Sequence, residues 1–238
     1  MKLYKGQCFT GVVLLALLAG CSSTAPISES SMQTASKSER LGTQWGDEVN
    51  SPVTSVNLRR TSERPIEQMQ LYYADKNYSG RAINSMSLVA GKIDFSVATD
   101  RGNLSLYRDN GHYYVQGHAG QAYRLVYKNN SPNTYEVVAS VDGLNVIDGS
   151  AASRYATGYV LAPNKQLVIE GFRKNKSAVA SFIFSKPENA YAANTDSGSI
   201  NNTGVIGAVI YQLYDPSRPR AQNLQAFPAD NGYAKPPK

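Results

Sequence analysis

Tyr123-Arg124-Leu125-Val126-Tyr127-Lys128-Asn129-Asn130-Ser131-Pro132-Asn133-Thr134-Tyr135-Glu136-Val137-Val138-Ala139-Ser140-Val141 repeats apolar residues at every second position on both sides of a turn-forming centre. Tyr123, Leu125 and Tyr127 alternate with Arg124 and Lys128, and Tyr135, Val137, Ala139 and Val141 alternate with Glu136 and Ser140. Successive side chains of an extended chain point to opposite faces, so this spacing gives one apolar face and one polar face. That is the pattern of half-buried antiparallel strands. Asn129-Asn130-Ser131-Pro132-Asn133 holds residues suited to turns and predicts a hairpin between the two strands.

The same period extends outward. Ile93, Phe95 and Val97 alternate with Lys92, Asp94 and Ser96, and Asn110-Gly111 separates Leu104–Arg108 from Tyr113–Val115. An Asn-Gly pair between strands is a strong short-range hairpin signal, because both residues accept positive φ. Further strands are predicted at Gly158–Leu161, Gln166–Ile169, Val179–Phe184 and Val205–Leu213. The last is apolar on both faces and suits a central strand. Two stretches read as helical. Ile66, Met69 and Tyr73 share one helical face behind Pro65, and Ser185-Lys186-Pro187-Glu188 matches a capping box leading into a turn or two through Tyr191. About nine strands, no internal repeat and no βαβ rhythm predict a mainly β fold, an antiparallel β-sandwich of which a jelly roll is one form.

The chain has 238 residues, a formal net charge of +6 and two cysteines. Lys2 and Lys5 precede an apolar run from Cys8 to Ala19 that is too short to cross a bilayer as a helix. It ends in Leu18-Ala19-Gly20-Cys21, small residues leading to a thiol. This stretch resembles the lipobox of bacterial lipoproteins. The resemblance implies cleavage before Cys21, acylation of its sulfur and new amino group by palmitate-type chains, and attachment to the lipid bilayer of the cell envelope. Ser22, where Asp would favour retention at the inner membrane, implies the outer membrane of a Gram-negative bacterium. Each buried acyl methylene gives about 0.8 kcal/mol, so one chain holds marginally and the family's three hold durably. Cys8 is discarded and Cys21 acylated on this reading, which leaves no thiol for a disulfide, a zinc site or a nucleophile.

Residues 22–40 are rich in Ser and Thr and bury too little to offset the entropy of ordering. Beyond them Trp45, Val49, Val53, Val56 and Leu58 are scattered without helical spacing. The expected organisation is a signal peptide over 1–20, an acylated Cys21 with a flexible tether over 21–65, a β-sandwich over 66–214 and a disordered Pro-rich tail over 215–238. Trp45, the only tryptophan, fits either a docking anchor for a partner or a ring packed on the domain edge.

Cationic side chains form no concentrated run, which argues against a nucleic-acid partner. His112 and His118 lack zincin spacing, and Gly149-Ser150-Ala151-Ala152-Ser153 lacks the second glycine of a hydrolase elbow. Asp142, Asn145 and Asp148 recur at every third residue in Asp142-Gly143-Leu144-Asn145-Val146-Ile147-Asp148-Gly149, as oxygen ligands of a calcium site could. The two Asp-Gly pairs are, more simply, what tight turns at strand ends look like. Tyrosine is abundant, either as a strand former or as an outward platform for sugar rings. Tyr72-Tyr73 and Tyr113-Tyr114 each turn one ring outward if they lie in strands. Arg173-Lys174-Asn175-Lys176 reads as a solvated hairpin tip or a contact for anionic head groups or peptidoglycan.

The block from Tyr123 to Leu213, with Asp142-Gly143-Leu144-Asn145-Val146, Gly158-Tyr159-Val160-Leu161, Gly171-Phe172-Arg173 and Gly204-Val205-Ile206-Gly207, resembles a pattern in uncharacterised secreted bacterial β-proteins and brings no activity with it. No cofactor and no catalytic residue are expected. The expectation is a non-catalytic lipoprotein that binds an envelope protein or glycan, or joins an assembly. A carbohydrate-binding or cation-stabilised module and an envelope hydrolase with unmarked acids are the alternatives.

Overall fold

The computed structural model describes residues 36–216; the expected signal segment, Cys21 and the tail beyond Pro216 lie outside the described residues. The described part carries β1 (Gly42–Asn50), β2 (Glu67–Ala74), β3 (Arg81–Ile83), β4 (Met86–Leu88), β5 (Ile93–Thr99), β6 (Gly102–Asn103), β7 (Leu106–Asp109) and β8 (His112–Gln116). It continues with β9 (Ala122–Asn129), β10 (Tyr135–Val141), β11 (Leu144–Asn145), β12 (Tyr159–Leu161), β13 (Gln166–Ile169), β14 (Gly171–Arg173), β15 (Ala178–Ser185) and β16 (Val205–Gln212). One sheet has the order β1-β15-β9-β5-β4, with β13 on β9, β14 on β15 and β6 on β5. The other runs β11-β10-β16-β2-β8-β7-β3, with β12 on β10. Pairing is antiparallel except between β2 and β8.

The sheets pack as a β-sandwich around one core, as alternation of inward apolar side chains requires. Phe95, Leu125 and Tyr127 enter it from one sheet, and Leu71, Val137 and Ile206 from the other. β16 lies between β10 and β2, the central place its two apolar faces predict. Its outer face is covered too, with Tyr211 and Val209 packed on Val138.

Asn129–Asn133 does not close a hairpin. β9 pairs with β5, β13 and β15, whereas β10 pairs with β11, β12 and β16, so this connection carries the chain from one sheet to the other. The Asn129 side chain fixes the crossing. Its Nδ2 donates to the carbonyls of Asn133 at 2.7 Å and Ala162 at 3.0 Å, while its Oδ1 accepts from the Ser131 amide at 2.9 Å and hydroxyl at 2.8 Å. Such a satisfied buried amide makes a corner of the core rather than an exposed tip. Asn110-Gly111 behaves as predicted: Asp109 pairs with His112, and the two turn residues take φ of 48° and 82°.

The helix predicted behind Pro65 is the strand β2. Met69, Leu71 and Tyr73 are buried while Gln68 and Gln70 are exposed, a period-two pattern that coexists with the helical spacing of Ile66, Met69 and Tyr73. A ladder with β16 decides between them. Ser185-Lys186-Pro187-Glu188 does lead into helical turns, at Pro187–Asn189 and Tyr191–Ala193, but both are 3-10 turns. No capping box forms: the residue at the N-cap is Lys186, with no side-chain cap bond, and the Ser185 hydroxyl is turned to the carbonyls of Gly42 and Lys186.

The expected tether contributes to the sandwich well before residue 66. β1 pairs with β15, and beyond it the amides of Ser51, Val53 and Thr61 donate to Ser177, Lys176 and Gln212. Arg60 secures this strap. Its Nε meets Glu136 Oε2 at 2.7 Å, its Nη2 meets the Ala156 carbonyl at 2.7 Å, and its guanidinium lies 3.8 Å from the Tyr211 ring centroid.

Candidate functional site

Trp45 sits on β1 two residues beyond Thr43, so both side chains leave the same face of the strand. The Thr43 side chain enters the core; Trp45 lies farther along, at its rim, with 42 % of its surface exposed. Past Trp45 the ladder shifts register: Trp45 pairs with Phe182 but Glu48 pairs with Ala180, which leaves one extra residue on β1. A bulge of this kind turns the strand locally and re-aims the neighbouring side chain. The indole then lies parallel to Phe172, at 4° and 6.2 Å between centroids, and 4.8 Å from Tyr191. Phe172 is 1 % exposed and meets Phe182 edge-on at 5.1 Å, so the exposed tryptophan stands on rings anchored in the core.

Two tight fits position these rings. A Cβ on Gly171 would lie 1.8 Å from the Ala180 carbonyl, so only glycine lets β14 approach β15 and set Phe172. Gly149 has φ of +68°, and a Cβ there would lie 2.8 Å from the Tyr191 hydroxyl. Together with Asp148, Arg173 and Lys174, the rings bound a cavity of about 290 Å³.

Its polar rim is already hydrogen-bonded. Asp148 Oδ1 accepts from the Ser150 amide at 3.0 Å and hydroxyl at 2.7 Å. Arg173 donates through Nε to the Tyr159 hydroxyl at 2.7 Å and through Nη1 to the carbonyls of Ser51 at 2.9 Å and Asn175 at 3.0 Å. Lys174 pairs with Glu48. The expected hairpin tip is present: Asn175 Oδ1 accepts from the amides of Ser177 and Ala178 between β14 and β15. Rigid aromatic faces and fixed donors and acceptors suit binding, and among the described residues no Ser, His or Cys lines the cavity as a nucleophile.

The three residues considered for a cation do not converge. Asp142 occupies the β10–β11 turn, at φ of 53° with Gly143 at 77°, and is 0 % exposed. Its Oδ2 accepts from the Thr43 amide at 2.7 Å, and its Oδ1 from the Tyr73 hydroxyl at 2.6 Å and the Gly204 amide at 2.9 Å. A carboxylate only accepts, so Tyr73 donates to it. The Tyr73 oxygen then accepts from the Thr43 hydroxyl at 2.7 Å, and that hydroxyl accepts from Tyr123 at 2.7 Å. Burial pushes the Asp142 carboxyl up to about 6, against the pull of Tyr73 and the amides of Thr43, Gly204 and Val205. Burial likewise raises the Tyr73 and Tyr123 hydroxyls well above their ordinary range. Asn145 Oδ1 accepts from the Ile147 amide, and Asp148 stands on the aromatic cavity. Among the described residues no group of three or more His, Cys, Asp or Glu is placed to hold a metal.

Both histidines are exposed. His118 pairs with Asp75 at 2.9 Å, and His112 lies 6.0 Å from Tyr72. Tyr73 does face inward and Tyr72 outward, as strand geometry predicts. The outward ring of the second pair is Tyr114, which stacks on Tyr78 at 5.0 Å beside Tyr72 and Tyr107. Tyr114 is 5 % and Tyr78 9 % exposed, so these rings cover each other instead of forming an open platform. Sequence reasoning weighed both roles for Trp45 but did not foresee Phe172 and Tyr191 beneath it. Gly171 and Gly149 were the available signals. Cys21 lies outside the described residues. No family model, curated protein or solved structure matches the chain.

Proposed function

We propose that this protein is a non-catalytic binding module of the bacterial envelope, held to the lipid bilayer by an acylated Cys21 and presenting the Trp45 cavity to an envelope component. The observation that carries the binding role is the large exposed ring of Trp45, fixed in place by core aromatics. The envelope location rests on Leu18-Ala19-Gly20-Cys21 behind a basic and apolar leader, and Ser22 favours the outer membrane.

Two measurements test the reading. Mass spectrometry of the native polypeptide is expected to find a chain that begins at Cys21 and bears fatty acids. Cross-linking in the native envelope is expected to recover one stoichiometric component with the lipidated protein and to lose it with Trp45→Ala. A chain beginning elsewhere, or lacking acyl groups, overturns the anchoring. Equal recovery from wild type and Trp45→Ala overturns the assignment of this cavity.

A further inference from the structure

We infer that the Trp45 cavity is a subsite for one uncharged pyranose ring of an envelope glycan, a specification that rests on the binding role proposed above. Three features lead to it. The first is the aromatic face. The C–H face of a pyranose is flat and weakly apolar, and it stacks on an exposed indole held rigid from below. Trp45 is such a ring, with Phe172 parallel to it and Tyr191 tilted beside it.

The second feature is size. About 290 Å³ lies just under the roughly 300–1,000 Å³ of drug-sized sites, which limits the occupant to a single sugar ring. The third is charge. The rim carries Asp148 together with the basic pair Arg173 and Lys174, while Glu48 neutralises Lys174 and Arg173 already donates to Tyr159, Ser51 and Asn175. An anionic head group would meet the Asp148 carboxylate and two cations whose charge or donors are already engaged. A neutral ring of hydroxyls needs no unpaired cation, because its hydroxyls can donate to Asp148. The floor also distinguishes a sugar from an inserted protein side chain. Phe172 is 1 % exposed, so there is no deep apolar hole to fill, only an aromatic face with polar groups around it.

Trp45 is the only tryptophan, so its fluorescence reports on this cavity alone. The full-length lipidated protein, held in a detergent without a sugar head group, is titrated with chitotriose, maltotriose and cellotriose, with glycerol at matched hydroxyl concentration as a control. At least one sugar is expected to give a saturable change in emission at about millimolar concentration or below. Asp148→Ala is expected to weaken that binding about tenfold, the loss of one good hydrogen bond, and Trp45→Ala to abolish the heat of binding in calorimetry. The inference falls if no sugar gives saturation, if glycerol reproduces the change, or if Asp148→Ala binds as wild type does. It also falls if anionic phosphatidylglycerol vesicles or a cross-linked envelope protein perturb Trp45 while the sugars do not. In the last case the binding module stands and only its ligand class is wrong.

Discussion

Asp142-Gly143 and Asp148-Gly149 repeat one dipeptide six residues apart, yet the first carboxylate is buried among tyrosines and the second stands on the rim of an aromatic cavity. Both glycines take positive φ, at 77° and 68°, so both pairs serve as turns. Their difference comes from the donors that reach each aspartate. Asp148 is met by Ser150, two residues away. Asp142 is met by Thr43 from β1, Tyr73 from β2 and Gly204 before β16, all distant in sequence. A dipeptide therefore specifies the turn, and the surrounding fold specifies whether its carboxylate ties the sheets together or faces solvent.

The sharpest way to break that contrast is Asp142→Ala. It removes the acceptor for the buried Thr43 amide and Tyr73 hydroxyl and for the part-buried Gly204 amide. The expected loss is about 4 kcal/mol of folding stability in urea unfolding, at the upper end for a single substitution. A loss under about 1 kcal/mol would mean that Asp142 does not join the sheets. Gly149→Ala comes next. Left-handed backbone and the Tyr191 hydroxyl both oppose a Cβ, giving an expected cost of about 1.5 kcal/mol. Because Tyr191 touches Trp45, the same variant is expected to shift the tryptophan emission. Gly143→Ala, in the equivalent turn, is expected to lower stability without that shift.

Titration separates the two aspartates without mutation. The Asp142 carboxyl is held up to about 6 by burial, above its ordinary value of 3.8. The folded protein thus binds a proton that the unfolded chain has released. This term makes stability rise as pH falls from 7 toward 5, by about 1 kcal/mol. Asp142→Asn is expected to flatten that slope and Asp148→Asn to leave it intact, as read by melting temperature across the range. A slope unchanged by Asp142→Asn would assign it to other groups.

The fold was legible where period two was long and uninterrupted, as in β5, β9 and β10, and where an apolar stretch filled both faces, as in β16. It was obscured where one segment satisfied two periods. Met69 and Tyr73 fit a helix face as well as a strand face, and only the neighbouring β16 distinguishes them. β1 was hidden because Gly46, Asp47 and Glu48 break the apolar alternation at its bulge, and its stability comes from the β15 ladder. The crossing at Asn129 resembled a hairpin because alternation reports which face is apolar, not which sheet receives the strand. Its identity resides in a side chain bonded to Ala162, far along the chain. The candidate site was legible one residue at a time, in Trp45, Asp148 and Arg173. Their meeting required a bulge and two close glycine contacts, which no short stretch of sequence records.

The smallest effect expected on the fold is also the one that best sharpens the comparison. Asp148→Ala removes two local bonds to Ser150 at a surface turn, and the cost is expected to stay within about 0.5 kcal/mol. Gly149 still supplies the left-handed turn, and Tyr191 still packs on Phe172 at 4.9 Å. Urea unfolding and the resting Trp45 emission are therefore expected to match wild type while sugar affinity drops. That combination would make Asp148 a ligand-facing carboxylate and Asp142 a structural one. A large destabilisation by Asp148→Ala would instead place both turns in the scaffold and remove the physical basis for treating the aromatic cavity's rim as free to bind.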